Sequence, residues 1–133
     1  MSPVRSPVCE TRPGKPDDLA FVVDSWTKHA FRHARMRNAT AHVRSLLARP
    51  GSYLSVAHVP GEPDAILGWA VVEDGEPACV HYVYVRSAAR KTGVARSLVG
   101  RLALETVEYS SAAPVNLALP QTWTVNTKRA ETP

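Results

Sequence analysis

The sequence of 133 residues is poor in cysteine, has no long apolar run, and lacks acidic charge through one central stretch. Its two cysteines, Cys9 and Cys79, have no metal-ligand spacing, which argues against both a disulfide framework and a zinc-type site. Both fall in apolar stretches, so they are expected as reduced core residues. With no apolar run of about 18 residues, a membrane-spanning reading loses ground. The first 13 residues lack the apolar core of a signal peptide, so a cytoplasmic protein with no membrane association is the expectation. No internal repeat, low-complexity tract or linker divides the chain. At 44% hydrophobic and 21% charged residues it reads as one soluble globular domain spanning 1–133.

The missing acidic charge is local. Residues 25–61 contain no Asp or Glu but carry Lys28, Arg32, Arg35, Arg37, Arg44 and Arg49, with His29, His33 and His42 among them. The net charge is +4. Such a stretch suits nucleic acid, a phosphate-rich ligand or an acidic protein, or else it is a solvated helical face.

Periodicity supplies the elements. Residues 8–12 read as an edge strand that turns at Pro13-Gly14. Pro16, Asp17 and Asp18 suit the start of a helix whose apolar residues Leu19, Val22, Val23, Trp26 and Ala30 recur at three- and four-residue steps. Its polar side carries Asp24, Ser25, Lys28, Arg32 and Arg35, and it should end near Asn38. Thr40 is expected to cap a shorter helix bearing Val43, Leu46 and Leu47, which Pro50-Gly51 stops. Residues 53–59, 65–73 and 79–86 are then three strands in two hairpins, divided by turns rich in Pro, Gly and Asp. The unbroken apolar run 65–72 implies a sheet covered on both faces. A third helix is expected from Gly93 to about Glu108, with a fifth strand at 115–119. The tail 120–133 reads as a short final strand or a loosely held arm.

The junction after the third of those strands carries the most chemistry. It runs Tyr82-Val83-Tyr84-Val85, a basic loop, Gly93, and then an amphipathic helix. Main-chain amides at a helix start are unpaired, and the helix dipole adds roughly half a positive charge there, so a phosphate can dock on the backbone. A side chain at Gly93 would stand where a pyrophosphate must approach, and Arg90, Lys91 and Arg96 add cations around it. An ordinary strand-to-helix turn is the alternative reading of the loop alone.

Arg90-x-x-Gly93-x-Ala95, preceded by Val83-Tyr84-Val85, resembles the acyl-CoA pyrophosphate loop of the GCN5-related N-acetyltransferase (GNAT) superfamily, whose pattern is Gln/Arg-x-x-Gly-x-Gly/Ala. Residues 12–19 resemble that family's first strand passing into its first helix, and residues 66–72 resemble its third strand. The likeness covers about residues 8–119. It implies an α/β (α+β) fold: a mixed, mostly antiparallel central sheet with helices on both faces, abbreviated at the C-terminus. The implied function is acetyl transfer from acetyl-CoA to a primary amine by direct attack, with no metal. Carried over by position, Val83, Tyr84 and Val85 would offer backbone groups to the pantetheine arm. Arg90, Lys91, Thr92, Gly93, Val94, Ala95 and Arg96 would cradle the pyrophosphate. The acyl group would lie between residues 82–85 and 115–119, where Asn116 is a polar candidate.

The catalytic groups depart from the family pattern. Many relatives carry a Glu base on the fourth strand, but residues 79–85 contain no carboxylate. His81 is the titratable residue there, with an ordinary pKa near 6.5 that suits proton removal; the competing role is a hydrogen-bonded structural histidine. Glu73 at the end of the preceding strand can act through water, or simply be solvated. The Tyr that serves relatives as acid after the fifth strand has no counterpart, since no Tyr follows Tyr109. The family's further helix and two closing strands are also not matched. Three outcomes are compatible with this: completion by a partner subunit as a homodimer, unusual acceptor binding, or lost activity. The acceptor is unidentified, with an acidic protein or nucleic acid favoured by the basic stretch. The rival class is a GNAT-like binding module that engages nucleic acid or an acidic partner through residues 28–49.

Overall fold

Alternating apolar strands joined by tight turns pair as expected, and a computed structural model shows the result for residues 8–30, 39–90, 92–102, 107–109 and 123–125. Six strands form one sheet in the order β1 (Glu10–Pro13), β2 (Ser52–Val59), β3 (Glu62–Glu73), β4 (Ala78–Val85), β5 (Val107–Tyr109) and β6 (Trp123–Val125). The first four are antiparallel neighbours, and β5 and β6 add in parallel. Between β1 and β2 lie a single 3-10 turn (Pro16–Asp18) and the helices α1 (Leu19–Ala30) and α2 (Ala39–Leu47). Helix α3 (Val94–Val99) follows β4. Among the described residues no helix is long and apolar enough to cross a membrane.

Two hydrophobic clusters lie on the two faces of the sheet, as the apolar run of β3 requires. Within β3 the side chains alternate: Trp69 and Val71 join Val22, Trp26, Val43 and Leu46 from α1 and α2. Ala70 and Val72 join Val94, Leu98 and Leu102 from the chain after β4. Cys9 and Cys79 are both buried and are not joined in a disulfide. The edge strand β1 is tied down by Arg12, whose guanidinium grips both Asp18 oxygens at 2.7 and 3.0 Å and also donates to the Pro63 carbonyl. Asp18 accepts a further bond from the Lys15 amide, so one carboxylate joins β1 to the start of the helical layer.

Three expectations are corrected. Thr40 does not cap α2; the helix already includes Ala39, so Thr40 is its second residue. Ser25 is not on the solvent side of α1. It is buried, its hydroxyl donates back to the Phe21 carbonyl one turn earlier and accepts from the Trp69 indole at 2.8 Å. A short hydroxyl bonded to its own helix reads as polar in a periodicity argument yet fits an interior. The helix expected from Gly93 to Glu108 is shorter: α3 tightens into a 3-10 turn at Gly100–Leu102, and Val107–Tyr109 is a strand. The β-branched Val107 is fully buried against β4, so sheet pairing prevails over helical spacing there. The tail contributes a short strand, β6, at Trp123–Val125. The strand expected at 115–119, Asn116 within it, and the end of the first helix at 31–38 lie outside the described residues.

Candidate functional site

Strand β4 determines the site because a bulge changes which way its side chains face. Val71 of β3 pairs with Tyr82, and the next residue, Val72, pairs with Val80, so His81 is the extra residue. Beyond it Val83 faces the α3 cluster, whereas Tyr82 and Tyr84 face α1. The described pairing of β4 with β5 covers Ala78 to Val80.

At the far end of β4 the chain passes through a 3-10 turn (Ser87–Ala89) into α3, with Gly93 at the cap position. Gly93 has φ +96°, a left-handed conformation that favours glycine. A Cβ placed there would meet nothing within 4 Å, and no side chain caps the helix. Below the turn, the Thr92 hydroxyl donates to the Ala89 carbonyl, and the Ser97 amide donates to the Gly93 carbonyl at 3.0 Å. The arrangement leaves open space over a turn whose first helical amides carry no side-chain cap, the feature an anion uses.

Helix α3 is held in place from beneath. Val94 and Leu98 are buried in the core. Gly68 of β3 permits the approach: a Cβ there would collide with the Tyr84 carbonyl and lie 3.3 Å from a Val94 methyl. Glycine in a strand interior costs stability, and here close packing of helix on sheet accounts for it.

The residues expected to bind a cofactor thus fall on one strand–turn–helix unit. Val83 is buried; Tyr84, Val85 and Ala95 are half-buried; Arg90, Thr92, Gly93 and Arg96 are exposed. Val94 is a core anchor, so only its backbone can face a ligand. Arg90 Nε donates to the Val85 carbonyl at 3.2 Å, which occupies one of the main-chain groups expected to serve the pantetheine arm. Lys91 lies outside the described residues. Arg86, exposed at the end of β4, adds a cation that the motif did not single out.

His81 is fully buried. Its Nε2 lies 2.8 Å from Glu73 Oε1, and the same oxygen accepts from Arg49 Nη1 at 3.3 Å. Glu73 is therefore not a merely solvated turn carboxylate. Burial pushes its carboxyl upward, but the hydrogen bonds and charges of His81 and Arg49 outweigh that and hold it below its ordinary value. Sequence reasoning had placed Arg49 among the basic surface residues. The available signal was the hairpin register: Ser52 pairs with Glu73 and the Asp74 amide donates to the Gly51 carbonyl, so a residue just before Pro50-Gly51 must meet the end of β3.

Between these two regions lies an aromatic layer on the α1 face. Tyr82 stacks on Trp26 at 5.5 Å, Trp69 contacts both at 5.4 and 5.5 Å, and Tyr84 meets Trp69 and the exposed Phe21 at 5.9 and 6.2 Å. Burial pushes the Tyr82 phenol above its ordinary value, which keeps it protonated at neutral pH. Of the basic stretch, Lys28 pairs with Asp24 on the surface of α1, Arg49 is turned to Glu73, and Arg44 is exposed. Arg32, Arg35 and Arg37 lie outside the described residues. No group of three or more possible metal ligands occurs among the described residues.

No family model matches the sequence, and no curated protein matches it. Solved structures do match the fold. A putative acetyl transferase from Pyrococcus furiosus is 14% identical, with a TM-score of 0.59 over 84% of this chain and 85% of its own. The ribosomal-protein-alanine N-acetyltransferase from Brucella melitensis biovar Abortus 2308 is 17% identical, with a TM-score of 0.56 over 80% of this chain and 81% of its own. AAC(6')-Iy, solved in complex with the bisubstrate analogue CoA-S-monomethyl-acetylneamine, is 16% identical, with a TM-score of 0.53 over 71% of this chain and 68% of its own. The chain has the fold of the GNAT acetyltransferases, as the motif order implied.

Proposed function

We propose that this chain is an acetyl-CoA-dependent N-acyltransferase that moves an acetyl group to a primary amine by direct transfer. The observation that carries the proposal is the junction at Gly93, with its left-handed cap, open space above it and no capping side chain. The acetyltransferase-like fold around that junction adds support, because a turn of this kind suits an anionic ligand and one solved neighbour, AAC(6')-Iy, is in complex with a CoA bisubstrate analogue.

When bound, acetyl-CoA supplies an acyl group activated as a thioester. The chain's part is to hold, orient and manage protons. Main-chain groups from Thr92 to Arg96 would take the pyrophosphate, with the side chains of Arg90, Lys91 and Arg96 balancing its charge. Val83 and Tyr84 would offer backbone to the pantetheine arm, and Val85 would do so if Arg90 releases its carbonyl. Direct attack forms the carbon–nitrogen bond as the carbon–sulfur bond breaks, and the amine must lose a proton. We assign that proton to His81. Because the imidazole is fully buried, transfer would run through water rather than by contact with the amine.

Calorimetric titration with acetyl-CoA and with CoA tests the reading, followed by an amine panel with whichever binds. Saturable binding of both and acetylation of at least one amine is the expected result. Absence of heat with either ligand, together with an unchanged melting temperature at millimolar concentration, would overturn it.

A further inference from the structure

A phenyl ring on the outside of a helix forgoes the burial that makes such a side chain stabilising elsewhere. Phe21, in the first turn of α1, is one of two large apolar side chains left exposed among the described residues. Its ring is nevertheless held. It meets the Tyr84 ring edge-on at 6.2 Å, and Tyr84 in turn lies against the fully buried Trp69 at 5.9 Å. The aromatic layer between α1 and the sheet therefore reaches the surface at Phe21, beside the end of β4. Tyr84 belongs to the segment of β4 expected to hold the thioester arm, and side chains stand off a sheet, so its ring lines the α1 side of the same place. Asp17 and Asp24 lie about one turn before and one turn after Phe21. Asp24 is bridged to Lys28 at 3.1 Å, whereas Asp17 is exposed and forms no ion pair with another described residue. On the strand side, Arg90 is turned back onto the Val85 carbonyl.

We infer, resting on the acyltransfer reading, that Phe21 and Tyr84 form the docking surface for the acceptor and select a small primary amine on an uncharged, apolar body. The body covers the exposed ring, which removes apolar surface from water and adds aromatic contact. At neutral pH the amine arrives as an ammonium, and both the ring faces and the Asp17 carboxylate attract that charge. A phosphate or carboxylate on the acceptor forfeits the attraction and loses its own hydration against the rings. The surface therefore disfavours the acidic acceptor that the basic stretch suggests. Two of that stretch's described cations are already engaged, Lys28 by Asp24 and Arg49 by Glu73.

The test follows the ring resonances of Phe21 and Tyr84 in the intact protein, labelled with carbon-13 in its aromatic residues and titrated with benzylamine or 2-aminoethyl phosphate, with CoA present and absent. Benzylamine should shift both rings saturably in at least one of these states, and 2-aminoethyl phosphate in neither. In turnover with acetyl-CoA, Phe21→Ala should raise the KM for benzylamine about tenfold relative to that for methylamine, which has no body to lay on a ring. Asp17→Asn should narrow the gap between benzylamine and 2-aminoethyl phosphate. Benzylamine shifts that avoid both rings overturn the inference, as do shifts of both rings by 2-aminoethyl phosphate at equal or lower concentration, or an unchanged KM ratio in Phe21→Ala. An unchanged gap in Asp17→Asn overturns the part given to Asp17. The donor is judged separately: if benzylamine moves both rings while neither acetyl-CoA nor CoA binds, the acyltransfer reading fails and the amine surface stands by itself.

Discussion

The two faces of the sheet are built from different chemistry. The α3 face is a small aliphatic core of Ala57, Ala70, Val72, Val80, Val83, Val94 and Leu98, with no charged side chain in its buried cluster. The α1/α2 face stacks Trp26, Trp69 and Tyr82, buries the Ser25 hydroxyl against the Trp69 indole, and ends in the Arg49–Glu73–His81 cluster. One face is a seat that positions a turn; the other carries the paired Glu73 and His81. On β4 the side chains exchange faces at the bulge at His81, which reverses the alternation of that strand.

The largest expected effect comes from emptying the aromatic face. Trp69→Ala should cost about 3–5 kcal/mol, since truncating a buried Trp leaves a cavity and removes the ring contacts. Denaturant unfolding measures it. If the faces are separable, any folded fraction of this variant should still be stabilised by acetyl-CoA. Gly68→Val attacks the other face: its branched side chain must displace either the Tyr84 carbonyl or Val94, at about 1–3 kcal/mol, and should lift α3 enough to abolish acetyl-CoA stabilisation. Equal loss of ligand stabilisation in both variants would break the comparison.

Acid sharpens it. Asp18 and Glu73 both titrate below their ordinary values when folded, Asp18 chiefly through its hydrogen bond from Arg12 and Glu73 because its two cationic partners outweigh burial. For a depressed carboxyl the stabilisation is complete above the unfolded value, about 4, and drains as pH falls through the folded one. The contribution of these two carboxyls should therefore be flat above about pH 5 and decline below it, and Arg49→Gln should shrink the part of that decline owed to Glu73. The smallest effect belongs to Lys28→Ala. Its pairing with Asp24 is an exposed i,i+4 bridge, so the melting midpoint should change by no more than about 0.5 kcal/mol equivalent.

Strand positions were legible from the sequence because β2, β3 and β4 are apolar runs between unmistakable turns, and the phosphate-loop motif stood out because Gly93 interrupts a basic loop before a helix. What escaped notice depended on partners distant in the chain. Arg49 looked like one more surface cation until hairpin register brought it to Glu73. Ser25 looked solvated until the Trp69 indole was seen to need an acceptor. The end of α3 was overestimated because Val107 continues a helical spacing that β4 claims as a strand. The bulge leaves no signature in composition at all: His81 reads as one polar residue in an apolar strand, and only the pairing with β3 shows it to be an insertion.

The central claim is that the turn at Gly93 takes the phosphates of acetyl-CoA on its backbone. Gly93→Asp tests it most directly, because Asp tolerates the left-handed conformation better than most residues and would put a carboxylate into the open space; Gly93→Asn supplies the same shape without charge. Thermal unfolding with and without acetyl-CoA is the measurement. At a hundredfold excess over Kd the wild type should gain about 2.7 kcal/mol, the Asn variant less, and the Asp variant nothing, with all three folded alike in its absence. Stabilisation of the Asp variant equal to that of the wild type would contradict the account.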